Sequence, residues 1–201
     1  MNLKSGSQRA NAIVGTRVRR QGRGRQFSNA RVAVAPDAID ELEAIPAKIS
    51  RILEQNAHIK QVAEKYSGAH SMMFLGRQFN YPVALEGALK MKEISYIHAS
   101  GHPSAELKHG VIAPDDSVFD KNVSNIEEVK ARKGPIISIA TEGNAKIGKV
   151  SDDVIFIPPC PDYLSPILTA IPLQLLAYHA AVHLGCDVDK PRNLAKSVTV
   201  E

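Results

Sequence analysis

Tryptophan is absent from this 201-residue chain, and aromatic residues make up only 5% of it. There are two cysteines, Cys160 and Cys186. They make no disulfide framework and no metal-ligand spacing, which fits a reducing compartment. Long uninterrupted apolar runs are missing as well, and the Met1 region lacks the apolar heart of a secretory signal, so neither membrane nor export is expected. Acidic residues are missing from the first 31 positions, where Lys4, Arg9, Arg17, Arg19, Arg20, Arg23, Arg25 and Arg31 give +8. The other 170 residues hold 17 basic against 21 acidic groups, a net of −4. The overall +4 thus belongs to one end, and it does not make the body a nucleic-acid binder.

What is present is the composition of an ordinary globular protein, 44% apolar and 23% charged. Residues 1–35 have no apolar period, and their Arg, Gly and Gln read as a basic, disordered leader. The same composition suits an organelle transit peptide or a segment that folds on RNA. From Pro36 to Glu201 the patterns are regular. Asp37 reads as a helix cap, with Ile39, Leu42, Ile45, Ile49, Ile52, Ile59 and Val62 at helical intervals and Pro46 dividing the run. Residues 71–76 read as a strand, 83–98 as a helix and 104–109 as a helical turn. Residues 111–113 read as a strand stub, 117–132 as a helix, and 135–140 and 154–157 as strands. Ser165 and Pro166 read as the cap and first position of a helix to about Gly185, kinked at Pro172. Gln174, His179 and His183 make this a buried core helix and not a membrane span. Alternating strands and helices predict an α/β fold of three αβα layers, its mostly parallel sheet covered on both faces.

Chemistry could reside in three places. Glu86, Lys90 and Glu93 are spaced four and three apart and share one helix face. That spacing fits a solvated salt bridge first; the functional alternative, which spacing alone signals only weakly, is a Lys–Glu pair for proton transfer near a strand's carboxyl end. His109 precedes Gly110 in a loop, with a side chain suited to acid–base work near neutrality or simply exposed at the surface. Lys196, near the C-terminus, is a solvated lysine unless the tail folds over a pocket that lowers its pKa for imine chemistry. Phosphate-loop, dinucleotide and metalloprotease motifs are missing, so no cofactor and no metal is expected.

These segments also carry a resemblance. YPVALEGALKMKEISYIHA (81–99), AELKHG (105–110), SNIEEVKAR (124–132) and PLQLLAYHAAVHLGCDVDKPRNLAKSVTVE (172–201) resemble the end of glucosamine-6-phosphate synthases, the isomerizing glutamine–fructose-6-phosphate aminotransferases. The resemblance runs from Pro36 to Glu201. It implies a sugar-isomerase (SIS) domain of flavodoxin-like build, the second of two such subdomains, in a cytoplasmic homodimer of hexosamine biosynthesis. It implies that Lys196 forms an imine with the opened sugar and that Glu93 moves a proton between C1 and C2. Lys90 would assist the acid–base steps, His109 would open the ring in the neighbouring subunit's site, and Ala195 would contact the sugar through its backbone.

The chain also departs from the family. The glutaminase with its terminal cysteine has no counterpart, and neither has the first isomerase subdomain with its Ser/Thr-rich phosphate loop. The pattern after Gly110 is shorter by roughly a dozen residues, enough for two short strands. Gln78 and Ala105 stand where the family has glycines; if those turns need positive φ, each change costs about 1 kcal/mol or more. The isolated chain is therefore expected to be weakly active or inactive. Three readings stay open. It is an isomerase half completed by another polypeptide, a non-catalytic module that binds sugar phosphate or a partner, or an RNA-associated protein acting through its leader.

Overall fold

The structure is a computed structural model that describes residues 36–104, 111–112 and 135–192. The chain divides into two units, Met1–Glu43 and Ala44–Glu201. In the first, helix α1 spans Pro36–Glu43. Asp37 lies within its first turn, not before it as a cap.

The second unit opens with α2 (Ile45–Glu54) and α3 (Asn56–Tyr66). Pro46 occupies the start of α2, where its missing N–H is harmless. A second break follows at Gln55, whose side chain bonds both ways with the Phe156 backbone: Nε2 donates to the carbonyl at 2.7 Å, and Oε1 accepts from the N–H at 3.2 Å. Strand β1 (Ser71–Gly76) then leads through a 3-10 turn, Gln78–Asn80, into α4 (Tyr81–Lys90). A π-turn, Met91–Ser95, prolongs α4, and β2 (His98–Pro103), β3 (Val111–Ile112) and β4 (Ile137–Thr141) follow. Then come the short helix α5 (Ile147–Val150), β5 (Asp153–Ile157) and the long helix α6 (Ser165–His183).

Every strand pairing among the described residues is parallel. β1 pairs with β2 from Ser71 opposite His98 to Gly76 opposite Pro103, and β4 lies between β3 and β5. The described strands form two sheets, β2–β1 and β3–β4–β5, with β3 packed beside β1. Side chains alternate along the strands and bury both faces. Phe74, Ile139, Ile155 and Ile157 enter the larger core beneath the helices, with Ile52, Ile59, Met91 and Leu168. Leu75, Ile136, Ala140 and Ile147 form a second core on the opposite face. This is the expected three-layer α/β arrangement.

Two further local readings change. The helix expected over 83–98 ends at Ser95, and His98–Pro103 is a strand. Ser165 is the first helical residue and not its cap: its Oγ donates to the Asp162 carbonyl at 2.7 Å and accepts from Asn80 Nδ2 at 2.9 Å. Pro172 lies inside α6, which spans Ser165–His183. By length and composition α6 could cross a membrane, but it is packed against α2, α3 and α4, and 56% of its apolar window is buried. It is a core helix. The expected helix over 117–132 and the turn over 104–109 lie outside the described residues, apart from Ser104.

Candidate functional site

The site grows from the turn after β1. Asn80 is 2% exposed, and its amide links the turn to α6 by donating to Ser165 and accepting from Thr169 Oγ1 at 2.7 Å. The turn passes so close to β1 that a Cβ on Gly76 would stand 2.1 Å from the Asn80 carbonyl oxygen. Only glycine permits that approach. The turn also holds Gln78 at φ +48, in the region where a side chain is strained.

From this anchored turn α4 runs over β1 and β2, and Gly87 lets it settle. A Cβ there would meet Leu173 Cδ1 at 2.8 Å and Phe74 Cδ1 at 3.0 Å. The buried side of α4 is Val83, Ala84, Gly87 and Ala88. Glu86, Lys90 and Glu93 are consequently held along the helix and the π-turn that follows. Such π-turns are frequent at functional sites. Ser95 Oγ donates to the Met91 carbonyl at 2.6 Å, and Tyr96 ends the turn in the left-handed region at φ +61.

Lys90 Nζ donates to Glu93 Oε2 at 2.8 Å and lies 3.7 Å from Glu86 Oε1. The Glu93 side chain is 19% exposed and that of Lys90 36%. The hydrogen bond to Glu93 holds the Lys90 ammonium above its ordinary pKa; partial burial opposes this, and the charges of Glu93 and Glu86 add to it. Lys90 is thus a protonated donor beside a half-buried carboxylate. An exposed pair of this spacing contributes only about 0.3–0.5 kcal/mol to stability, so stability gives the fold little reason to keep it. Chemically, the carboxylate can shuttle a proton while the ammonium stabilises negative charge on a neighbouring oxygen.

Of the residues singled out from the sequence, the structure brings together Lys90 and Glu93, with Glu86 alongside. His109, Ala195 and Lys196 lie outside the described residues. Within the described residues no group of three or more His, Cys, Asp or Glu could hold a metal ion. Tyr96 was missed by the sequence reading. Its Oη accepts the Arg192 backbone N–H at 2.7 Å, and the Arg192 guanidinium lies 5.3 Å from the ring centre.

Comparison with known proteins bears on the family and the fold. The SIS-domain family matches residues 65–184. The glutamine–fructose-6-phosphate aminotransferase (isomerizing) of Chlorobaculum tepidum is 54% identical over 80% of this chain and 28% of its own length. That of Bacteroides thetaiotaomicron is 49% identical over 81% of this chain, again 28% of its own length. Among solved structures, the C-terminal domain of glucosamine-fructose-6-phosphate aminotransferase from Francisella tularensis superposes with a TM-score of 0.69. It is 36% identical, over 78% of this chain and 48% of that one. The chain therefore spans less than a third of the curated relatives it matches.

Proposed function

Because the chain belongs to the SIS-domain family and is similar to part of the isomerizing aminotransferases, we propose that it supplies the proton-transfer half of a site converting fructose 6-phosphate to glucosamine 6-phosphate. The observation that carries this reading is the Lys90–Glu93 pair, held at 2.8 Å between the last residue of α4 and the π-turn that follows it, in a chain 54% identical to such an enzyme. Once the sugar is open and its C2 carbonyl has become an imine, Glu93 takes the proton from C1 and returns it at C2. Lys90, protonated, steadies the negative charge that develops between those steps. Lys196 forms the first imine at C2 with loss of water, and ammonia then displaces it, leaving the product's nitrogen on C2 and freeing the lysine amine before the proton moves. Ala195 offers its backbone to the sugar, and His109 opens the ring from a neighbouring copy.

The phosphate is held by groups beyond this SIS domain, on the same or another polypeptide. Each charge-assisted hydrogen bond to phosphate contributes about 1.5–3 kcal/mol, so a chain without them binds the sugar weakly and turns over little or none. A homodimer is the working unit, and Phe79, Leu85 and Leu89, exposed beside the Glu86–Lys90 face, offer apolar area for a second copy. The SIS domain is assigned to residues 36–201 and a basic leader to residues 1–35. Neither Cys160 nor Cys186 is in a disulfide, which supports a cytoplasmic setting.

The test is calorimetric titration of the purified chain with fructose 6-phosphate and glucosamine 6-phosphate, with molar mass read by light scattering. The proposal expects a dimer with weak, saturable binding that is abolished by Lys196→Ala. A folded monomer that binds neither sugar at millimolar concentration would overturn it.

A further inference from the structure

Tyr96 stands at φ +61, where a large side chain is seldom found and glycine would close the turn without strain. What tyrosine adds lies at the far end of its ring. Its hydroxyl oxygen accepts the Arg192 N–H at 2.7 Å while the Arg192 guanidinium rests over the ring, 5.3 Å from its centre. The chain reaches this contact by a defined route. Two residues beyond the end of α6 stands Gly185 (φ +72), and the Gly185 and Cys186 N–H groups donate to the carbonyls of Val182 and Ala181. Cys186 Sγ lies 3.9 Å from the Ser95 carbonyl oxygen. Asp187 Oδ1 then accepts the N–H groups of Asp189 and Lys190, each at 3.0 Å, turning the chain back to Tyr96. The C-terminal segment is thereby fastened at two adjacent residues, Ser95 and Tyr96, directly after Glu93 and Ile94.

We propose that Tyr96 is a positioning residue that docks the start of the C-terminal tail onto the π-turn carrying Glu93. It acts through the tail and not on the sugar. Lys196 follows Arg192 by four residues, so an extended chain keeps its backbone within about 14 Å of the docked point. The consequence for catalysis rests on the role proposed above for Lys196; the docking itself does not.

Two variants of the full chain test it. Tyr96→Phe keeps the ring and removes the acceptor, whereas Tyr96→Gly removes both contacts and relieves the backbone strain. Amide exchange at Arg192, followed by NMR, is expected to quicken about tenfold in Tyr96→Phe, as loss of one hydrogen bond requires, and at least as much in Tyr96→Gly. The melting temperature should hold in the first variant and hold or rise in the second. In an assembly that turns over fructose 6-phosphate, Tyr96→Phe should lower kcat with little change in KM, and should have no further effect when Lys196→Ala is already present. Unchanged Arg192 exchange in both variants would overturn the docking. Faster exchange with unaltered kcat, or exchange that merely follows a fall in melting temperature, would overturn the positioning role. If the wild-type chain handles no sugar phosphate in any assembly, the reading of function fails, and Arg192 exchange alone decides the docking.

Discussion

Gln78 shows how much a single residue can concede to a neighbour's geometry. It sits at φ +48 because the turn from β1 is pinned through Asn80 to Ser165 and Thr169, and the pinning holds whatever residue stands at 78. A left-handed non-glycine residue costs about 1–2 kcal/mol, and glycine returns part of that through the entropy of the unfolded chain. Gln78→Gly should therefore raise the melting temperature by roughly 1–4 °C in a domain of this size, read by circular dichroism. A lower melting temperature would mean that the glutamine side chain contributes more than its backbone loses. At Lys90 and Glu93 the balance lies elsewhere. Lys90→Met should shift stability by less than about 0.5 kcal/mol, while Glu93→Gln should lower turnover in a competent assembly by about 100-fold or more. Steady-state rates and melting curves on the same preparations separate the two effects. The pair's spacing was legible in the sequence. That Lys90 stays protonated was not, because it follows from a side-chain geometry that spacing alone does not specify.

Elements carry the next layer of the account. α3 and α6 meet at His179, whose Nε2 lies 2.7 Å from Asn56 Oδ1. Burial, helped by the nearby charge of Lys60 and opposed by Glu64, holds this imidazole below its ordinary pKa. The unfolded chain therefore takes up the proton first, so the stability tied to His179 is present above about pH 6.5 and is lost as pH falls through the lower folded value. Melting temperatures between pH 7.5 and 5 should decline in the wild type and decline less in His179→Gln. A second acid limb belongs to Asp153. Burial pushes its carboxyl up, but hydrogen bonds from Lys65 and Tyr66 outweigh that and leave it below the ordinary carboxylate range, so its contribution is lost below about pH 4. Where α4 crosses β1, Gly87→Ala would drive a methyl against Leu173 and Phe74 and should destabilise by about 1–3 kcal/mol, measured by urea unfolding. Elements with a strong apolar signature were legible: Met72–Leu75 of β1, the isoleucines of β4 and β5, and nearly the whole of α6. β2 was not, because His98–Pro103 contains no apolar period and becomes a strand only by pairing with β1. The end of α4 was obscured in the same way, since tyrosine is not a residue that signals a left-handed helix stop.

On the scale of the whole molecule, the parallel sheet does two things at once. Its alternating side chains build a core on each face, and its β1–α4 connection brings Lys90, at the end of α4, beside Glu93 on the π-turn that follows. The family and the fold were legible because motif strings at the α4, KHG-loop and C-terminal positions occur in order over most of the chain. The most direct test of the central claim is glucosamine 6-phosphate formation from fructose 6-phosphate and ammonia. It should be assayed with this chain alone and mixed with the Chlorobaculum tepidum relative lacking the part this chain matches. The account predicts little or no product from the chain alone, product from the mixture, and none when the chain carries Glu93→Gln. Product undiminished by Glu93→Gln, or a mixture that associates stably and still makes none, would contradict it.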